Sequence, residues 1–167
     1  LDLAIRFGEL REPNLIARRI GTMRMIIIAS KDYLERNGRP RTPDDLKDHH
    51  CIVFGGVADA DSWPFIENGV TRQIGVSWRL RIDDADALRQ AVLSGLGIAL
   101  MPSWQFPDLW ENENLETLFD DYEKPALPMY AVYPSRRYTP GKVRAMIEFM
   151  QHEMSIDPTM TGGIGLI

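Results

Sequence analysis

The sequence predicts an α/β fold, and three observations carry that prediction. Ile74, Val76, Trp78, Leu80 and Ile82 alternate with polar or small residues, the period of two that marks a strand with one buried face. A helical pattern follows at once. Ile98–Met101 is then a short apolar run suited to a buried strand, stopped by Pro102. Strand, helix and strand joined by short loops predict a right-handed crossover between parallel strands. Elsewhere strands and helices also alternate, as α/β folds require.

Within this central unit, Asp83 is the expected helix N-cap, with Asp86 three residues on to meet the positive end of the helix dipole. Leu88 and Val92 share one face with Ala85 and Ala91 beside them, and Gly95 supplies the left-handed exit.

Taken in order, Leu3, Ile5 and Phe7 alternate toward Gly8 and predict a first strand, and Glu9 to Asn14 reads as a polar loop. Leu15 to Ala29 reads as one or two strands, the last heavily buried. Ser30 can cap a short helix that exits at Gly38. Thr42-Pro43-Asp44-Asp45 is a second start signal, with Thr as cap, Pro at the first helical position and acids in the first turn. Cys51 to Phe54 predicts a buried strand running into Gly55-Gly56, either a plain turn or a place where a ligand or another backbone comes close. Trp63 to Ile66, Asn68-Gly69 and the run from Val70 predict a hairpin closed by a type I′ turn. Trp104 to Trp110 predicts a short helix interrupted near Pro107, and Leu115 and Leu118 a short strand or turn. Met129 to Tyr133 predicts a strand left by Pro134-Ser135-Arg136-Arg137. Thr139-Pro140 opens a last helix, with Val143, Ile147, Met150 and Met154 at helical spacing as core. TGGIGLI reads as a tail.

Composition bounds the function. The chain has 167 residues, 44% hydrophobic and 26% charged, ordinary for a soluble globular protein with one core or two small lobes. A formal charge of −5 argues against a nucleic-acid-binding surface on this chain itself. Cys51 is the single cysteine, so there is no disulfide framework or multi-cysteine zinc site, and a reducing compartment is allowed. No apolar run approaches membrane-spanning length. The chain opens on Leu1 without an initiator methionine, in what reads as an interior strand, so a longer parent protein is expected.

The catalytic inventory is thin. His49, His50 and His152 fall in no metal-ligand or triad spacing. His49 and His50 suit a helix end, and Cys51, at the head of an apolar strand, reads as a small buried hydrophobe before a thiolate nucleophile. Asp83, Asp84 and Asp86 are better explained by capping than by a metal. Arg18, Arg19 and Arg24 read as a solvated face before a phosphate patch. No Walker lysine loop is present, and Gly95-Leu96-Gly97 ends a helix where a dinucleotide fingerprint would open one.

The order and spacing of DLAIRFGEL, LIARRIGTMRMIIIASKDYLERNGRPRTPDDLKDHHCIVF, the Trp63-Pro64-Phe65 hairpin, IDDADALRQAVLSGLGIALMPSW and LPMYAVYPSRRYTPGKVRAMIEFM resemble the effector-binding domain of LysR-type transcriptional regulators. The likeness covers residues 2 to about 150. It implies a type 2 periplasmic-binding-protein-like fold of two Rossmann-like lobes, with Ile26 to Ser30 and Tyr130 to Ser135 as crossover strands and a small effector in the cleft. Lobe I would comprise 1–29 and 134–154, lobe II 30–133, and 155–167 a C-terminal tail. The family's DNA-binding helix-turn-helix, linker helix and first lobe I elements have no counterpart here, so lobe I would be incomplete.

By position, the resemblance implies a cleft lined by Arg6, Phe7, Gly8, Ala29, Ser30, Phe54, Gly55 and Gly56. Arg6 would hold a carboxylate bidentately, and Ser30 would offer its hydroxyl and nearby amides to the same anion. Phe7, Phe54 and Trp63 would permit an aromatic ligand, or belong to the core. Helix 84–94 and the C-terminal helix resemble the family's dimer contacts. The expected partners are a small-molecule effector, a second copy in a homodimer or tetramer, and promoter DNA through a domain outside this chain. Neither membrane, metal nor cofactor is expected, and the setting implied is cytoplasmic. A free-standing periplasmic-type solute-binding protein is the alternative, and an enzyme on a similar scaffold lacks its nucleophile–base pair.

Overall fold

The computed structural model describes residues 2–8, 15–109, 111–134 and 140–156. In chain order the elements are β1 (Ala4–Phe7), β2 (Leu15–Met23), β3 (Met25–Ser30), α1 (Lys31–Asn37), a 3-10 turn (Pro43–Asp48), β4 (Cys51–Phe54), β5 (Ser62–Glu67), β6 (Val70–Gly75), β7 (Trp78–Ile82), α2 (Ala85–Leu93), β8 (Ile98–Pro102), a 3-10 turn (Ser103–Gln105), β9 (Leu115–Leu118), β10 (Leu127–Pro134) and α3 (Gly141–Ile156). They form two compact units, Leu1–Arg24 with Ala126–Ile167, and Met25–Pro125. The boundaries expected from the sequence were 29/30 and 133/134. β3 pairs on both sides within the second unit, and β10 on both sides within the first.

In the second unit five strands run in the order β7-β4-β8-β3-β9. β4 is parallel to both β7 and β8 and lies between them, so β7–α2–β8 is the parallel crossover the sequence predicts. Both faces of the sheet are covered. On one side Ile27, Val53 and Ile98 pack with Tyr33 and Leu34 of α1 and with Trp63 and Phe65 of the hairpin. On the other, Ile26, Ile52, Ala99 and Met101 pack with Leu88, Ala91 and Val92 of α2. Leu88 and Val92 are fully buried, each stabilising the fold by roughly 1.5–3 kcal/mol.

α2 leaves through a Schellman turn, with Gly95 N donating to Val92 O and Leu96 N to Ala91 O, and Gly95 takes the positive φ of 70° that the turn needs. The hairpin β5–β6 closes on Asn68 (φ 52°) and Gly69 (φ 77°), the two left-handed residues of a type I′ turn.

Three expectations need correction. The period-two run 74–82 is two strands: Val76 N donates to Asp61 O beside the hairpin, while Ser77 O accepts from Cys51 N of β4. The apolar–polar alternation of the sequence continues across the change of sheet and hides the break, but Trp78, expected on the buried face, is 46% exposed. The α2 cap is Asp84, whose carboxylate accepts from Ala87 N at 2.7 Å; Asp83 follows directly on β7 instead. Among the described residues 104–109, helical structure is limited to the 3-10 turn Ser103–Gln105. Pro107 disfavours helical geometry at the residue before it, and Phe106 sits at φ −124°, ψ 70°.

In the first unit β10 lies between β1 and β2, antiparallel to both, with a bulge at Met129/Tyr130. α3 packs on β2, where a Cβ at Gly21 would come within 3.3 Å of Met154 Cβ. Val143 and Ile147 are buried, and Met150 and Met154 are half-buried. Ser155 and Ile156 close α3, inside the span expected as tail. The expected 9–14 loop, the Ser135–Arg137 exit, the Thr139 start, Trp110 and the rest of the tail lie outside the described residues.

Candidate functional site

In open α/β sheets ligands bind beyond the carboxyl ends of parallel strands. In the second unit β4, β7 and β8 all point one way, ending at Phe54, Ile82 and Pro102. Met25, where the chain enters this unit, pairs with Pro102 at the same end. Gly55 N donates to Ile82 O at 2.8 Å, which sets the diglycine against the end of β7. A Cβ at Gly56 would come within 2.6 Å of the Phe54 ring, so glycine there makes room for that ring. A Cβ at Gly55 would meet Arg81 and Asp83 at ordinary contact distances, and the Arg81 guanidinium lies 3.4 Å from the Gly55 carbonyl.

Ala29 and Ser30 are not at this end. Ile28 of β3 and Ile52 of β4 both sit beside Ala99, but the two strands run in opposite directions. Ser30 lies two residues from that rung one way and Phe54 two residues the other, about 13 Å apart along the strands. Ser30 is fully buried, its Oγ accepting from Tyr33 N at 3.2 Å as the α1 cap. Ala29 is fully buried in the core under α1. The expected grouping of these two with Phe54, Gly55 and Gly56 is therefore corrected: strand direction separates them. Trp63 is core as well, its indole N–H donating to Ala60 O.

In the first unit, Arg6 and Phe7 end β1 opposite Tyr130 and Met129, and Gly8 N donates to Pro128 O at 2.9 Å. Pro128 and Thr22 pair close to the points where the chain leaves after Arg24 and returns at Ala126. Gly8 takes a positive φ of 76° with open space around its Cβ position. Arg6 is exposed and has no ion-pair partner among the described residues; Phe7 is 47% exposed.

Three residues near this strand end were not among the expected cleft residues: Arg81 and Asp83 beside Gly55, and Ser103 just past β8, buried. The strand-end rule, applied to β7 and β8 as well as β4, would have found them.

The groups singled out for catalysis have structural surroundings. Burial pushes the Cys51 thiol up to about 12 and the His49 imidazole below its ordinary value. His49 Nδ1 lies 3.1 Å from the hydroxyl of Tyr33, itself pushed up by burial. Among the described residues no cluster of three His, Cys, Asp or Glu could hold a metal, and no helix is long and apolar enough to cross a membrane.

Residues 1–155 match the LysR substrate binding domain family. An uncharacterized HTH-type transcriptional regulator of Haemophilus influenzae is 32% identical over 142 residues, 85% of this chain and 49% of the relative. The HTH-type transcriptional activator AaeR of Escherichia coli is 31% identical over 148 residues, 88% of this chain and 48% of the relative. The chain thus spans about half the length of these curated relatives. Among solved structures, the regulatory domain of CrgA, a LysR-type regulator from Neisseria meningitidis, superposes with a TM-score of 0.79 at 26% identity, over 92% of this chain and 75% of that one. The full-length Vibrio cholerae virulence activator AphB gives 0.75 at 29% identity, over 89% and 51%. Family match, relatives and fold agree: the chain belongs to the LysR substrate-binding-domain family.

Proposed function

We propose that this chain is the effector-sensing part of a LysR-type transcription regulator, and that it takes a small anion between its two units. The observation that carries this reading is the family match over residues 1–155. What supports the location is that Arg6–Gly8 in the first unit and Phe54–Gly56 in the second each lie at the end of their own sheet from which the chain passes to the other unit. Arg6, exposed and without an ion-pair partner among the described residues, is the anion's partner, since a guanidinium matches a carboxylate bidentately. Ala29 and Ser30 support α1 and the core instead of the ligand.

A bound effector favours one arrangement of the two units only by the difference in its affinity for each arrangement. A homodimer or tetramer, working in the cytoplasm, passes that bias to promoter DNA through a DNA-binding part outside this chain.

The test is calorimetry on the full-length protein against mono-, di- and aryl carboxylates. At least one is expected to bind, and Arg6→Ala to weaken it about 10–100-fold, the worth of a charge-assisted hydrogen bond. A panel with no binder, or an Arg6→Ala protein that binds as the natural one does, overturns the reading.

A further inference from the structure

The second unit holds one buried polar cluster that the effector reading does not use, and it grips the head of β4. Tyr33 of α1 is buried, and its hydroxyl meets two groups: His50 N at 2.9 Å and His49 Nδ1 at 3.1 Å. The His50 amide is a donor, so Oη accepts there, and giving its own hydrogen to Nδ1 satisfies the buried phenol fully. That arrangement requires a neutral His49 protonated on Nε2.

The backbone of His50 is held at its carbonyl too. Its carbonyl accepts from Ile98 N at 2.9 Å, and a Cβ at Gly97 would lie 2.3 Å from that oxygen. Just past this clamp, the ladder between β4 and β7 breaks register: Cys51 pairs with Trp78, but Ile52 with Leu80. Such a bulge interrupts regular pairing just after the bond from Cys51 N to Ser77 O that ties the head of β4 to the approach to β7. Tyr33 supplies a hold there, four residues ahead of Phe54.

We propose that Tyr33 is a positioning residue for the strand end Phe54–Gly56, and that a proton taken up by His49 releases it. The proton adds to the Nδ1 lone pair that had accepted from the phenol. Both His50 N–H and Nδ1–H then point at Oη, and the phenol hydrogen is left buried without an acceptor. The head of β4 relaxes at the bulge, and a four-residue strand carries the change to Phe54, Gly55 and Gly56. Charges around the cluster pull both ways. Asp45 and Asp48 of the 3-10 turn favour the proton on His49, while His50 and burial oppose it. Arg36 of α1 and Arg79 of β7 bear on Tyr33, as does Cys51 of β4.

This inference rests on the proposed effector site for its regulatory meaning, but its test needs no effector. In the 15N-labelled 167-residue chain, the His49 ring and the backbone amides of Phe54, Gly55 and Gly56 are followed by NMR from about pH 8 to pH 5, across the ordinary histidine value of about 6.5. His49 is expected in its Nε2–H form at the upper end, with the three amides moving at the same midpoint as its ring. Tyr33→Phe and His49→Gln should both flatten those amides, whereas His50→Gln should leave them titrating, with a midpoint no lower than in the natural chain because His50 opposes the proton on His49. Amides that stay flat in the natural chain, or that still titrate in either of the first two variants, overturn the proposal. The natural-chain titration decides even where a variant fails to fold. A flat result beside an effector that still depends on Arg6 sinks the latch and leaves the effector site standing.

Discussion

Burial governs the chemistry of single residues around the head of β4. Cys51 has no exposed surface and its thiol is pushed up to about 12, so almost no thiolate exists near neutrality. Iodoacetamide at pH 8 is therefore expected to leave the native chain unmodified over hours and to label Cys51 quickly in denaturant; mass spectrometry reads both. His49 is held below its ordinary value by burial. A histidine harder to protonate in the folded than in the unfolded chain contributes stability that is complete above about pH 6.5 and is lost as pH falls through its lower folded value. The melting temperature should thus drop between pH 7 and pH 5, and His49→Gln should narrow that drop. An unchanged drop in the variant would assign the acid sensitivity to other groups.

Caps and close approaches decide the elements. Asp84→Ala is expected to cost about 1 kcal/mol in denaturant unfolding, the worth of an N-cap carboxylate, and Asp83→Ala to stay within about 0.5 kcal/mol. Reversed values would restore Asp83 as the cap. Gly97→Ala drives a methyl group into the His50 carbonyl and should cost about 3 kcal/mol, because backbone cannot step aside as a long side chain can. Asn68-Gly69, Ser30 as the α1 cap and the Gly95 exit were all readable, since each is a local requirement written in one or two residues. The break at Val76–Ser77 was not. Moving from the hairpin to the five-stranded sheet changes hydrogen-bond partners and exposes Trp78, while the apolar–polar alternation of the sequence runs on unbroken.

Over the whole molecule, protection should follow the central strands. β3 and β8 are paired on both edges and covered on both faces, with Ile27, Ile28, Ile98 and Ala99 fully buried. Their amides are expected to exchange slowest, and those of the β5–β6 hairpin much sooner; hydrogen exchange resolved by residue checks this. Faster exchange in β3 than in the hairpin would contradict the two-core account.

The sequence by itself determined the α/β class, the parallel crossover and most element ends, and its motif order pointed to the family that the match over residues 1–155 then showed. These depend on periodicity, capping chemistry and motif order, all of which are local in the chain. Only the tertiary structure decided which strand ends lie together. Ser30 closes a strand that runs into α1 and Phe54 one that runs into Gly55-Gly56, and nothing local tells that β3 runs against β4; the pairing of each with β8 does. The hydroxyl of Tyr33 reaching His49 and His50, 16 and 17 residues on, is likewise a product of packing α1 over the sheet. Direction and proximity between distant segments are properties of the packed chain, because they follow from how buried faces are shared and not from any one segment's pattern.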